Sequence, residues 1–324
     1  MDQLQPIVLK NKLGFTLKLS PYGAGILSLL VPDTQANLVD VIVGPASISQ
    51  LTDPDSGLAA WCMGSSVGPF AGRISGGGFT LNDKPYVLNE LGEVCLHSGP
   101  EGWQHQNWEV RSYNIVDQAR VEFGLIIPRD NGKFPGGYEA RVTYGLIDNE
   151  LRIDYRVHAQ SPIIINPTNH SYFNPGGSRP ILGCELHIAA SKYLETDAQL
   201  IPSGRFISLD KDELDFRQPR RFDGSAALDH CYVLDNSKTV ARVYSPVTGI
   251  SIEVETDRPG LVVFTPEKLN GLPLKDQMET VRFPAICFEC QNFPDAPNQP
   301  AFPSAVLGED KVFRSTTIYR FTVD

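Results

Sequence analysis

Short segments with two-residue alternation, or with β-branched and aromatic residues, run through the whole 324-residue chain. These segments predict strands at Val8–Leu19, Ala119–Pro128, Glu139–Leu146, Glu150–Ala159, Thr239–Tyr244, Ile250–Thr256, Leu261–Thr265 and Thr316–Val323. Asp148 and Asn149 are turn residues between two of the segments, which predicts a hairpin. Because Gly and Pro residues are scattered, turn signals recur about every ten residues.

Helical periodicity is scarce. Ser208–Phe216 has the pattern of two helical turns, and Gly57–Met63 has the pattern of one. Many strands with very little helix predict an all-β fold, a large antiparallel sandwich or barrel. We find neither a fixed-period repeat nor a linker, so we expect a single domain over residues 1–324.

Composition narrows the classes of function. The chain has 28 basic and 38 acidic residues, a formal charge of −10, which argues against binding to nucleic acid. We see no signal peptide and no run near ~18 apolar residues, so we expect no membrane segment. The six cysteines are spread mostly among apolar residues, as free thiols in a reducing compartment are, which predicts a cytoplasmic protein. Cys287 and Cys290 form a C-x-x-C, but no helix start is evident there to make a redox pair.

The segment Ile163–Asn174, IIINPTNHSYFN, is rich in polar residues for a strand. As one strand it would place Asn166, Thr168, His170 and Tyr172 on a common face. That face would suit a wet cavity. A core histidine that bonds to neighbouring Asn and Tyr side chains would give the same pattern.

Glu289 interrupts the apolar segment Ala285–Asn292, AICFECQN. Alternation places it on one face with Cys287 and Gln291. A carboxylate there must be paired or open into a pocket, and burial would raise its pKa into the range of a general base. An edge-strand glutamate in solvent is the alternative.

The glycine-rich segment Gly64–Phe79 contains Arg73, whose guanidinium suits sugar hydroxyls or a carboxylate, although a surface arginine in a turn fits as well. Ser66 lies in a G-x-S-x-G, but the following prolines and glycines disfavour the helix that a nucleophile elbow needs. Asp229 precedes an apolar strand, which turn chemistry also explains. The six histidines show no H-x-H or H-E-x-x-H, so we expect no metal site.

Taken together, these segments resemble the aldose 1-epimerases, also called galactose mutarotases. The resemblance covers roughly residues 23–321, and six blocks occur in the family's order. The blocks are GPFAGRI (Gly68–Ile74), LHSGPEGW (Leu96–Trp103), NPTNHSYFN (Asn166–Asn174), DAQLIPSG (Asp197–Gly204), the Asp-His strand at Leu228–Tyr232, and FECQNFPDAPNQPAFP (Phe288–Pro303).

The resemblance implies a large antiparallel β-sandwich of the galactose-mutarotase type, with an open sugar cleft and no cofactor. It implies that Glu289 is the general base at the anomeric hydroxyl and that His170 is the general acid at the ring oxygen. His170 must then be protonated while Glu289 is ionised, which predicts a bell-shaped pH profile around neutrality.

By the same resemblance, His97 is a second donor near the ring oxygen, Arg73 and Asp229 hold sugar hydroxyls, and Gln291 lies beside the base. The implied partner is a monosaccharide substrate, and the implied assembly is a monomer or weak homodimer. The chain departs from the family pattern at three positions. Gly72 stands where the family has Asn, Ser98 replaces the first Gly of a pair, and Pro175 replaces a Leu.

Two other functions remain open on this sequence. A hexose-6-phosphate 1-epimerase of the same fold would need a cationic pocket, for which Arg217, Arg220 and Arg221 form the one dense basic cluster. A carbohydrate-binding or sensor protein would keep the cleft without catalysis. The presence of both His170 and Glu289 argues against it, because a binder needs no matched acid and base.

Overall fold

The computed structural model describes residues 4–114, 119–129, 133–225 and 227–324. Its largest sheet has nine antiparallel strands, in the spatial order Glu109–Asn114, Ala119–Ile127, Tyr138–Ile147, Glu150–Ala159, Val312–Val323, Ile250–Thr256, Ala241–Tyr244, Glu185–Ile188 and Arg220–Arg221. A seven-stranded antiparallel sheet has the order Pro202–Ser208, Ala190–Thr196, Asp229–Leu234, Gly260–Phe264, Ile286–Gln291, Tyr172–Phe173 and Ile42–Val43.

Smaller elements complete the fold. A four-stranded sheet comprises Ile7–Lys10, Thr16–Ser20, Gly25–Pro32 and Leu38–Asp40. Four short antiparallel pairs are Arg73–Ile74 with Cys95–Leu96, Gly78–Leu81 with Lys84–Val87, Ser66–Val67 with Thr168–Asn169, and Ile163–Ile164 with Val306–Leu307. The helices are short: an α-helix at Ile48–Thr52 and 3₁₀ turns at Pro54–Ser56, Leu58–Trp61, Gly99–Glu101, Trp103–His105, Lys275–Thr280 and Ala296–Asn298.

The two large sheets pack face to face. The Tyr319 ring of the nine-stranded sheet lies 4.6 Å from the Phe173 ring of the seven-stranded sheet, measured between centroids. The Tyr319 hydroxyl also donates to the carbonyl of Phe288, at 3.0 Å. Buried apolar residues from the facing sides of both sheets form one core, which also includes residues of the four-stranded sheet. The predicted antiparallel β-sandwich with little helix is therefore confirmed.

The seven-stranded sheet separates this core from the opposite face. In its strand Ile286–Gln291, Ile286, Phe288 and Cys290 pack into the core, while Glu289 and Gln291 line a cleft on the other side. This strand lies between two others, so the edge-strand alternative for Glu289 is wrong.

Among the described residues, no helix is both long and apolar enough to cross a membrane.

Most long strands agree with the prediction, and the hairpin at Asp148-Asn149 is confirmed by the pairing of Ile147 with Glu150. The single strand expected over Val8–Leu19 is instead a hairpin. Its turn is built by the Asn11 side chain, which accepts from the backbone N–H groups of Leu13 and Phe15. The prediction of one long strand was therefore wrong because a polar turn interrupts the apolar pattern.

The two helix predictions had different outcomes. Residues 209–216 form turns and no helix, because the Asp212 and Asp215 carboxylates accept from the backbone N–H groups two residues on, at 2.8 and 3.0 Å. Such local bonds compete with helical ones. Gly57–Met63 does contain one helical turn, at Leu58–Trp61.

Candidate active site

A cleft of about 340 Å³ opens on the outer face of the seven-stranded sheet. This volume lies at the lower end of the range for small-molecule sites. All six residues singled out from the sequence line the cleft: Arg73, His97, His170, Asp229, Glu289 and Gln291. The chain thus brings together side chains that are far apart in the sequence.

Glu289 lies at the inner end of the cleft and is only 3% exposed. Within the described chain, its Oε2 atom has no hydrogen-bond partner. Burial, with a smaller contribution from the Asp229 charge, raises the pKa of Glu289 to about 8, against the opposing effect of Arg73. The carboxyl group is therefore mostly protonated at neutral pH.

His170 faces Glu289, with its Nε2 atom 3.5 Å from Oε1 of the carboxyl. Its backbone is held by two bonds to the neighbouring segment, His170 N–H to Ser65 O and Gly64 N–H to His170 O, both 2.9 Å. The ring stacks on Tyr172, with centroids 5.1 Å apart. Burial lowers the pKa of His170 to about 4, so the cleft holds a neutral imidazole beside a protonated carboxyl.

The roles implied by the family resemblance require a protonated His170 and an ionised Glu289 at the start of ring opening. The pKa values give the reverse, a neutral His170 and a protonated Glu289. In both distributions the pair holds one proton, and only its position differs. Two interacting groups titrate as a pair, so the number of protons on the pair is the meaningful quantity.

Arg73 and His97 reach the cleft from a short ladder in which Arg73 pairs with Leu96. Arg73 Nη2 lies 3.5 Å from Asp229 Oδ2, and both side chains are partly exposed to the cleft. Burial raises the pKa of Asp229, while Arg73 opposes that rise. The two polar groups can thus bind hydroxyl groups of a ligand from the same side.

His97 lies beside His170, with ring centroids 5.4 Å apart in an edge-to-face arrangement. One imidazole nitrogen of each histidine and one Glu289 carboxylate oxygen all lie within 4.8 Å of one another. By residue type, two imidazoles and a carboxylate could hold a zinc ion. Sequence spacing gave no sign of this group, because its members come from three distant segments.

The polar segment Ile163–Asn174 does not form the single strand expected. It contributes three two-residue strands to different pairs, and only His170 and Tyr172 of the predicted polar face line the cleft. Asn166 Nδ2 donates to Asn292 O, and Thr168 Oγ1 donates to Cys290 O. These two side chains brace the backbone beside Glu289 and do not line a wet cavity.

An aromatic wall of the cleft was missed in the sequence. It consists of Trp61, Tyr172 and Phe264, and Tyr172 donates its hydroxyl to Trp61 O at 2.9 Å. The Phe264 ring contacts both Trp61 and His170. Alternation did place Tyr172 on the face of His170, whereas Trp61 lies in a short helical turn with no signal of a binding role.

The residues of the other sequence motifs do not line the cleft. Ser66 is fully buried and bonds to the hydroxyls of Tyr144 and Tyr155, so it is not an exposed nucleophile. Cys287 and Cys290 are free and pack in different apolar clusters. They do not form a redox pair.

The basic cluster is also outside the cleft. Arg217 pairs with Asp210 and Asp215, and Arg220 stacks on the Phe216 ring. Among the described residues that line the cleft, Arg73 is the only Lys or Arg.

Comparison with known proteins gives consistent results. The family model for aldose 1-epimerase matches residues 5–320. A galactose mutarotase from Rattus norvegicus is 33% identical over 316 residues, which cover 93% of this chain and 90% of the relative. An aldose 1-epimerase from Escherichia coli is 28% identical, with 98% and 95% coverage. The crystal structure of an aldose epimerase homologue from C. elegans superposes with a TM-score of 0.90, 26% identity and 99% coverage of both chains.

Proposed function

The chain belongs to the aldose 1-epimerase family, a family of isomerases, and from this premise we propose that it interconverts the α and β anomers of free hexoses such as glucose and galactose. The observation that supports the proposal most directly is the pair His170 and Glu289, which face each other at 3.5 Å inside one cleft. An anomer exchange needs an acid and a base that act on one pyranose from a fixed geometry.

The proposed reaction opens and recloses the sugar ring. Glu289 takes the proton of the anomeric hydroxyl, and His170 donates a proton to the ring oxygen as the C1–O5 bond breaks. The aldehyde carbon then rotates about the C1–C2 bond. Closure from the other face returns both protons, so Glu289 acts as acid and His170 as base in that half of the cycle.

The pKa values of His170 and Glu289 fit one half of this cycle. With the proton on Glu289 and His170 neutral, the pair has the distribution that follows ring opening. A bound pyranose needs the proton on His170 before the ring opens. During the reaction the pair therefore holds one proton throughout, on His170 before ring opening and on Glu289 after it.

The remaining cleft residues bind and orient the sugar in this proposal. Arg73 and Asp229 hold hydroxyl groups, and Gln291 lies beside the base, with an Oε1 atom that accepts no hydrogen bond from the described residues. His97 is a further donor toward the ring oxygen. Hydroxyl groups satisfy such unpaired polar atoms without the cost of a buried charge.

A hexose 6-phosphate fits this cleft less well. Arg73 is the only Lys or Arg among the described residues of the cleft, and it already pairs with Asp229, so a phosphate would find no free cation there. Arg217 and Arg220, two of the three cations suggested by the sequence, bond to acidic side chains and to backbone carbonyls elsewhere. The third, Arg221, does not line the cleft either. The free sugar is therefore the better supported substrate class.

Polarimetry tests the proposal. We expect purified protein to accelerate the relaxation of α-glucose and α-galactose, and to act less on their 6-phosphates. Glu289→Gln removes the base but keeps the shape, so turnover should fall by about 10²–10⁴-fold while calorimetry still detects sugar binding. Glu90→Gln, which changes an exposed carboxyl, is the matched control.

Each alternative predicts a distinct result. Preference for the 6-phosphates would identify the phosphate-specific enzyme. Binding of free sugars without any acceleration by the wild-type protein would identify a binding protein. Undiminished turnover in Glu289→Gln would contradict the proposed base.

A further inference from the structure

A hydrogen bond at Nδ1 of His97 determines which ring nitrogen carries the proton. The backbone N–H of Gly72 points at His97 Nδ1, at 3.1 Å. A backbone N–H donates and cannot accept, so Nδ1 must accept this bond with a lone pair. In a neutral imidazole the proton is then on Nε2, the nitrogen that remains free for a ligand.

The bond belongs to a two-way clamp between these residues. The backbone N–H of His97 donates to Gly72 O at 2.9 Å, in the opposite direction. The buried Gln104 side chain donates to His97 O at 2.8 Å. His97 has a left-handed φ of 51°, which is uncommon for a residue with a side chain, and these bonds hold it there.

Gly72 is suited to this clamp as a glycine. Its φ is +84°, and an added Cβ would lie 3.0 Å from Pro294 Cβ and 3.1 Å from Gln291 Nε2. A side chain here would strain the backbone and press on two walls of the cleft. Glycine therefore allows the backbone conformation that brings the Gly72 N–H close to His97 Nδ1.

We propose that the Gly72 amide holds His97 as a neutral Nε2–H tautomer, a permanent hydrogen-bond donor to a substrate oxygen that neither transfers protons nor ligates metal. The inference deepens the proposed function, because the oxygen would be the sugar ring oxygen. Protonation of the ring would cost the Gly72 bond, and burial opposes the charged form too.

The same bond decides the metal question raised by His97, His170 and Glu289. A metal-bound histidine offers a lone pair to the ion and usually donates its other N–H to an acceptor. His97 has the reverse arrangement, with a donor facing Nδ1 and the proton on Nε2. The cleft is therefore arranged for an oxygen acceptor, although its residue types suit zinc.

NMR tests the tautomer directly. In protein labelled with ¹⁵N-histidine, two-bond ¹⁵N–¹H correlation spectra distinguish the two tautomers, and His97→Gln assigns the signal. We expect the Nε2–H form from about pH 5 to 8, unchanged by equimolar zinc chloride. An Nδ1–H form, a charged ring within that range, or a metal-shifted signal would overturn the inference.

Variants test the clamp through kinetics. Gly72→Ala keeps the backbone N–H, but the strain at its positive φ should displace that N–H from His97 Nδ1. We expect kcat/KM for the aldose to fall at least about fivefold, the effect of one lost hydrogen bond, and the His97 signal to be disturbed. Gly76→Ala is the matched control, since Gly76 also has a positive φ of 60° but open space within the described structure where Cβ would be. It should stay within about twofold of wild type, and equal effects of the two variants would contradict the clamp.

A second pair of variants covers the case in which Gly72→Ala fails to fold. His97→Gln keeps a donor near the Nε2 position, so its kcat/KM should exceed that of His97→Phe by about fivefold. Both should keep the shape of the wild-type pH profile, and loss of one limb would overturn the inference. Failure of the wild-type protein to accelerate mutarotation would instead remove the proposed function and leave the NMR result valid.

Discussion

Glu289 and His170 are buried together, and their protons set the pH dependence of the proposed reaction. The pair needs one proton to supply both an acid and a base. Below about pH 4 the pair gains a second proton, on His170, and no base is left. Above about pH 8 the pair loses its last proton, from Glu289, and no acid is left. We therefore expect kcat/KM to form a bell with limbs near these values, measured by polarimetry across the range. A monotonic profile would contradict the pair.

Burial of Glu289 also makes a prediction for stability. The pKa of this carboxyl is about 8 in the folded protein against an ordinary value of 4.5, so the folded state binds the proton more tightly. The protonated carboxyl therefore contributes fully to the free energy of unfolding below about pH 4.5, and this contribution is lost as the pH rises through 8. Glu289→Gln cannot ionise, so its stability relative to wild type should rise by a few kcal/mol, of order 2–5, between pH 5 and 9.

Urea unfolding at the two pH values measures this difference. Glu90→Gln, an exposed change, should show no comparable dependence on pH. The same stability difference between Glu289→Gln and wild type at both values would mean that the carboxyl is not desolvated as the structure indicates.

At the residue scale, the sequence predicted the candidate residues better than their protonation. Glu289 was noticeable because a carboxylate interrupts an apolar strand, and His170 because it lies in a polar segment of unusual density. The distribution of the proton depends on how deeply both groups are buried and on the nearby Asp229 charge. No local pattern contains that information.

At the scale of elements, the turn after the Glu289 strand braces the loop that carries Arg73. Asp295 is fully buried, and its backbone N–H donates to Arg73 O at 2.7 Å. Its carboxylate accepts from the Ser75 backbone N–H and from Asn298 Nδ2, both at 2.9 Å. One side chain thus joins the two segments that form this wall of the cleft.

Asp295→Ala should therefore destabilise the protein by about 2–4 kcal/mol, because several part-buried donors lose their acceptor. It should also raise KM for the sugar as Arg73 moves. Asp310→Ala is the matched control, with a similar φ of 54° against 59° but an exposed side chain. Chemical unfolding and polarimetric kinetics measure both effects, and equal losses in the two variants would argue against the brace.

The strands that were predicted well are those that pack one face on the core, because their hydrophobic residues then alternate with polar ones along the sequence. Glu150–Ala159 alternates strictly between buried and half-buried residues and appears as predicted. Ile163–Asn174 was wrong as a single strand because its side chains bond to the backbone of remote segments, as Thr168 does to Cys290. Such bonds depend on tertiary structure.

At the scale of the whole molecule, residues of all three larger sheets share one apolar core. On that ground we propose that the chain forms a single domain, as the lack of a linker predicts. The meeting of His170 and Glu289 in one cleft follows from the strand order of the seven-stranded sheet, in which their segments are neighbours. From the sequence, only the family resemblance implied that order.

The three tryptophans are distributed unequally in this architecture. Trp103 and Trp108 are buried in the core, at 0% and 3% exposure, whereas Trp61 lines the cleft. Sugar binding should therefore change the emission of one indole and leave the other two as a constant background. We expect the fluorescence change to saturate with galactose in the wild type and to vanish in Trp61→Phe, which keeps an aromatic wall. A change that persists in Trp61→Phe would place the sugar elsewhere, so the protein contains its own optical probe of occupancy.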